Sequence, residues 1–278
     1  MLGLAPAVLL TAFLLLIPLG LMLHESVQTY TPGRIGSDEA GPLTLENFRE
    51  ILTVSYLSYF TDTFLLSMIA AIVAVIVCFP LAYRIARLSG RRARAMWIFF
   101  LMSLLFVSAL AKVYAISVSF GPVGILPYVT RAIGISQNSL LAIQGVVIIG
   151  LLHYLMPIVT LSLIGAVQGV NPRLLDASQS LGASQLETHL LITLPLCGRA
   201  LLSTFLFATT LSISAFVIPL ILGRGRVAFL SNLIYTRFGE ISNYPSGAAF
   251  AIVLLSLVAA ALACTTFLTR SRRRKAAA

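Results

Sequence analysis

Residues 4–23 are a nearly uninterrupted run of apolar side chains. As a helix, such a run is about 30 Å long, the depth of a bilayer's hydrocarbon core. The pattern recurs at about 63–83, 96–116, 139–164, 200–222 and 247–268. The expected fold is therefore all-α: a polytopic membrane protein of six transmembrane helices, forming a single transmembrane domain over residues 1–278. Only 10% of the residues are charged and 59% are hydrophobic, whereas a soluble domain carries about 25% charged residues. A signal peptide is the alternative for 4–23. It would need a basic leader, a shorter core and a small-residue cleavage site, and none is clear. The first run is read as a retained span with a kink at Pro18.

The polar connections set the orientation. Residues 24–62 hold Glu25, Asp38, Glu39, Glu46, Glu50 and Asp62, with turn signals at Pro32-Gly33 and Gly41-Pro42. Thr44 to Asn47 opens a short interfacial helix that runs to Leu52. Residues 117–138, with Gly121-Pro122, Pro127 and Gly134, form a turn-rich loop or a re-entrant piece. Trp97 anchors the start of span three at the interface. Six spans put both termini on one side, together with the 84–94 and 165–199 loops. That side carries 12 Lys and Arg and the other 6, so the termini and the 165–199 loop are expected in the cytoplasm. Seven of nine carboxylates fall outside. The net charge of +10 sits in clusters beside spans, among them the tail Arg270–Lys275. Topology and anionic lipid explain it better than nucleic acid. Cys78, Cys197 and Cys264 are dispersed and offer neither a disulfide framework nor a metal site.

One loop carries more helix punctuation than any other stretch. Asn171 caps a helix that has Pro172 in its first turn. Leu174, Ser178 and Leu181 share a face, and Gly182 is a natural stop. Ser184-x-x-Glu187 reads as a capping box for a second short helix. Leu186, Leu190 and Leu194 form its apolar stripe, and Pro195 marks its end. The segment reads as a rigid helix–glycine–helix knob shaped for a socket on another protein.

These residues resemble the cytoplasmic loop shared by inner-membrane permease subunits of binding-protein-dependent ABC importers. That loop reads Glu-Ala-Ala, three residues, Gly, nine residues, Ile-x-Leu-Pro. Ala177, Gly182, Ile192, Leu194 and Pro195 agree in type and spacing, while Asp176 replaces Glu and Ser178 replaces the second Ala. Pro80-Leu-Ala-Tyr83 and Asn138-Ser-Leu140 look like the same family. The resemblance implies a type I importer fold in which Asp176, Ala177, Ser178, Gly182, Ala183 and Leu186 couple to an ATPase. It implies a second homologous permease chain, two cytoplasmic ATPase subunits that bind ATP and Mg, and an extracytoplasmic solute-binding protein, all at a bacterial inner membrane. This chain itself would hold no cofactor and no metal.

In overall pattern the chain resembles permeases of the spermidine/putrescine type, including Lys112-Val-Tyr114. That implies a polyamine or similar organic cation as solute. Related permeases handle iron, thiamine, sulfate and phosphonates, and these stay open. Lys112, Tyr114, His153, Ser214 and Phe216 are candidates for the translocation path: an ionisable residue within a span is functional by default, and Ser214 and Phe216 could line a path through the bundle. Snorkelling competes for Lys112, and interhelical hydrogen bonding or packing competes for the others. The chain lacks G-x-x-x-x-G-K-[ST], H-E-x-x-H and G-x-S-x-G, so it is expected to be a non-catalytic subunit. A self-contained secondary carrier or channel is the rival reading, with the loop as a mere connector.

The charge bias makes a direct prediction. Single cysteines introduced as Ser37→Cys and Ser242→Cys react with an impermeant reagent outside intact cells, and Ser178→Cys reacts only after permeabilisation. Labelling of Ser178→Cys from outside would overturn the orientation.

Overall fold

The computed structural model describes residues 5–33, 37–38, 41–121 and 123–276, with backbone alone at 5–7, 9, 38 and 264–276. The lipid-facing role expected of the side chains of Arg270–Lys275 therefore lies outside the described residues. Two compact units are present: residues 62–228, and residues 1–61 with 229–278.

The 62–228 unit is built on two helices. The first, α4 (Ser67–Ala86), continues a helical run Val54–Ala86 that contains α3 (Val54–Thr61) and a π turn at Asp62–Leu66. The second is α8 (Leu140–Gln168), capped by Ser139, whose hydroxyl accepts from the Ala142 amide. Ala70, Ala74, Cys78 and Ala82 recur every fourth residue and are fully buried. On α8, Val147, Leu151, Leu155, Val159 and Leu163 are fully buried in turn. Small residues on one helix let the other approach closely, which matters where lipid removes the hydrophobic drive. Cys78 Sγ reaches the Met156 carbonyl at 3.7 Å.

Span three differs from a straight helix over 96–116. It is α5 (Arg91–Phe106) and α6 (Ala109–Ser119), bent by 92°. Val107 and Ser108 take extended conformations with ψ of 130° and 133°, which ends one helix and starts another. A short helix, α7 (Leu126–Ala132), follows in the turn-rich stretch.

Span five also differs. The expected second short helix does not stop at Pro195. It comprises α10 (Gln185–Thr188), a π turn at His189–Thr193 and α11 (Leu194–Ile213), one helical run Gln185–Ile213. In the π turn the Leu194 amide bonds the His189 carbonyl, five residues back. That wider turn accommodates the proline ring that would clash in a regular α-turn. The run ends before 222, and α12 (Val217–Leu222) is separate.

In the second unit, α1 (Ala5–Ser26) packs along α14 (Tyr244–Ala276), and α2 (Glu46–Ile51) packs on α14 too. Thr44 Oγ1 accepts from the Glu46 amide at 3.1 Å, opening the expected interfacial helix. A two-residue antiparallel ladder pairs β1 (Thr29–Tyr30) with β2 (Ser37–Asp38). Glu50 gathers a polar cluster. It accepts from Tyr56 at 2.6 Å and from Ser246 at 3.1 Å, and pairs with Arg237. Arg237 donates to Tyr56 as well and comes from a π turn at Thr236–Glu240, after α13 (Leu230–Tyr235).

Four described helical runs are long and apolar enough to cross a membrane: Val54–Ala86, Leu140–Gln168, Gln185–Ile213 and Tyr244–Ala263. The bent pair makes five if counted as one span. The six expected spans include α1, whose described apolar part, Leu10–Ser26, falls below that length.

Asn47 generates a stability prediction. Its buried Nδ2 donates to the Ser26 and Gln28 carbonyls at 3.0 and 2.9 Å. Asn47→Ala orphans both, and is expected to cost about 1–3 kcal/mol, read as a lower thermal midpoint in detergent. An unchanged midpoint would contradict this assignment.

Candidate coupling loop and translocation path

The knob is built as its punctuation demands. The Asn171 side chain accepts from the Arg173 amide at 3.1 Å, and Pro172 opens α9 (Pro172–Ser180). Gly182 has φ +92°, the left-handed region where a Cβ is disfavoured. The Ala183 amide bonds the Ser178 carbonyl and the Gly182 amide bonds the Gln179 carbonyl. This pair is a Schellman closure of α9. Ser184 and Glu187 then form a reciprocal capping box, with bonds of 2.8 and 3.3 Å. Ser178 Oγ and Thr188 Oγ1 lie 3.0 Å apart and join the two helices.

This rigid piece leaves apolar side chains uncovered. Leu174 is 46% exposed, Leu186 67% and Leu181 90%. Leu175, on the other face of α9, is buried. Asp176 and Ala177 are exposed, Ser178 and Ala183 half-buried. Among the described residues the Asp176 carboxylate has no ion-pair partner. The loop thus offers a stripe of leucines beside a free carboxylate, a surface with the chemistry of a docking site.

The path candidates separate into two groups. Lys112 of α6 and His153 of α8 line one cavity of about 20 Å³ with Tyr154 and Ile218, room for about one water. Ser214 and Phe216 lie in the break between α11 and α12. Ser214 Oγ donates to the Leu211 carbonyl at 3.0 Å. Tyr114 is exposed and does not line that cavity.

Sequence reasoning missed the two helix breaks at Val107–Ser108 and Ser214–Phe216. It also missed Gly150. A Cβ there would come within 2.5 Å of Leu222 and 3.0 Å of Ile218, so the bare backbone lets α12 pack on α8. Irregular backbone at membrane depth is tolerated where it lies within protein or lines a cavity.

With this geometry in place, comparison with known proteins identifies the fold. The fold is that of ABC importer permeases. Two solved structures of a bacterial importer of the acidic polysaccharide alginate match it. The first has a TM-score of 0.67 at 14% identity, covering 96% of this chain and 93% of that one. In the second the transporter is in complex with a periplasmic protein bound to alginate pentasaccharide, and the TM-score is 0.63, again at 14% identity, covering 92% of this chain and 90% of that one. Among curated relatives, the spermidine/putrescine transport system permease protein PotB of Haemophilus influenzae is 28% identical over 89% of this chain and 86% of its own length. PotB of Escherichia coli K12 is 24% identical over 76% of this chain and 77% of its own length. The inner membrane ABC transporter permease protein YdcU of the same strain is 26% identical over 80% of this chain and 74% of its own length. No family model matches the chain.

Gly150 supplies a test of the packing. Gly150→Ala is expected to cost about 1–3 kcal/mol through overpacking. Gly145→Ala on the same helix meets nothing within 4 Å and is expected to be neutral or stabilising by up to about 1 kcal/mol. Equal thermal midpoints for the two variants would refute close packing of α12 on Gly150.

Proposed function

We propose that this chain is a permease subunit of an ATP-driven importer and forms half of the path for a small organic cation, a polyamine by preference. The observation that carries the reading is the rigid helix–glycine–helix knob with its uncovered leucines and free Asp176. Such a surface in water needs a partner. A cytoplasmic ATPase supplies one in the class whose fold this chain has. The chain would assemble with a second permease chain, two ATPases that bind ATP and Mg, and an extracytoplasmic binding protein. Both termini would be cytoplasmic. Closure of the ATPase pair would move the knob as a body, and the bundle would alternate between outward-open and inward-open states.

The solute assignment rests on the named relatives PotB of two organisms. Seven carboxylates on the proposed outer side agree, since they raise the local concentration of cations. Lys112 opposes a bare cationic path, so its ammonium must be turned aside when a cation passes.

Cells lacking this chain are expected to lose uptake of labelled putrescine or spermidine, and the native gene restores it. Gly182→Trp and Asp176→Lys insert normally but retain less ATPase on purification, with uptake lowered about tenfold or more, as expected when a docking contact worth ~1.4 kcal/mol or more is removed. Unimpaired polyamine uptake in the deletion strain would discard the solute. Unimpaired ATPase retention in both variants would discard the knob as the docking element.

A further inference from the structure

The ends of the loop are held by a side chain outside it. Arg87 closes α4, and its guanidinium Nη2 donates to the Val170 carbonyl at 2.8 Å and to the Val167 carbonyl at 3.3 Å. Those carbonyls lie at and just beyond the end of α8, where a helix leaves acceptor capacity to spare; the Val167 carbonyl also accepts from the Val170 amide at 3.1 Å. A cation placed there is also favoured by the helix dipole. The same guanidinium lies over the Tyr83 ring, 5.8 Å from its centroid. Tyr83 in turn meets the His189 ring edge-on, with centroids 4.4 Å apart. His189 opens the π turn that follows the capping box, and its Nδ1 lies 3.3 Å from Thr193 Oγ1.

Arg87 therefore touches the entry to the loop directly and its exit through Tyr83. Spans four and five are joined to the knob by the chain itself. The helix that ends at Ala86 has no such covalent link; it packs on α8 and α11, and these side chains are its direct contacts with the ends of the loop.

We propose that Arg87 is the positioning residue that carries movement of the 165–199 loop into α4. The proposal rests on the permease reading and deepens it by naming how a third helix is engaged. Without the clamp, the knob would still dock and the ATPase would still turn over, but α4 would follow only through its packing on α8 and α11 and so only in part. The bundle of α4, α8 and α11 would then respond to nucleotide only in part.

The test uses the intact complex, purified from native membranes with its ATPase and placed in lipid nanodiscs. Arg84→Cys, exposed on the last turn of α4, is introduced with Cys78→Ala, Cys197→Ala and Cys264→Ala, and the maleimide labelling rate is measured before and after trapping with ATP, Mg and orthovanadate. With Arg87 present, trapping changes the rate by about fivefold or more, the response of a two-state element whose equilibrium is shifted. With Arg87→Ala the change falls below about twofold, while the ATPase stays bound and hydrolysis persists. Arg87→Lys keeps one charged donor and restores part of the response. Tyr83→Leu removes only the ring bridge and gives an intermediate loss, which keeps the test open should Arg87→Ala fold poorly. A native-sized response in Arg87→Ala overturns the proposal. Joint loss of ATPase binding and hydrolysis in Arg87→Ala and Arg87→Lys also overturns it, by reducing Arg87 to a structural residue. Absence of any response with Arg87 in place sinks the permease reading itself.

Discussion

Close approach of α4 and α8 is the contact on which residues 62–228 depend. In water, burial of leucines alone would hold two helices together. In lipid the tails are as apolar as the side chains, and packing must supply the difference. Ala70, Ala74, Cys78 and Ala82 supply it by being small and in register every fourth residue. Large residues on α8 then fill the groove to a fully buried seam. α11 packs against both helices, α5 packs on α8, and α12 packs against α8 where Gly150 leaves room. The knob inherits its place from this arrangement, because it leaves α8 at one end and enters α11 at the other.

The helix breaks have a cost that this packing offsets. Each interruption frees backbone groups that lipid cannot satisfy. At the first, the Ser108 carbonyl accepts from the Lys112 amide and starts α6 within one turn. At the second, the Ser214 amide bonds the Thr210 carbonyl and the Ala215 amide bonds the Ser212 carbonyl. The neighbours of the two breaks include Lys112 and the approach to Ile218, which line the same small cavity. Polar and charged groups at such a place are costly in lipid and tolerable beside a cavity.

Legibility followed the range of the interaction. The knob was readable because caps are local: Asn171 with Pro172, Gly182, and Ser184 with Glu187 each act within a few residues. The apolar runs were readable because hydropathy sums over a window. The 92° bend was not, since Val107 and Ser108 are compatible with a continuing helix and hydropathy carries no direction. Pro195 misled, because a π turn upstream lets the helix continue through it. The Glu50 cluster was invisible, as Arg237 lies 187 residues away in sequence. The juxtaposition of Lys112 and His153 likewise needed the fold, although each was a candidate by type.

Rigidity and continuity together explain why a knob of this kind can act at a distance. The Schellman closure, the capping box and the Ser178–Thr188 bond fix α9 against α10 with little slack. A force on the knob therefore displaces it without deforming it. The helical run Gln185–Ile213 begins in the knob and continues through the π turn at His189–Thr193 to the end of α11. At ~1.5 Å per residue it is about 43 Å long, more than the depth of a bilayer's hydrocarbon core. On the proposed reading, displacement of the knob would travel along this run to Ser214–Phe216, where the chain first becomes irregular. A flexible linker in place of Gly182, or a second break within α11, would absorb that motion before it arrived. On that reading the helical run would carry the signal and the irregular backbone would receive it, which would tie the loop's caps and the distant break into one mechanism.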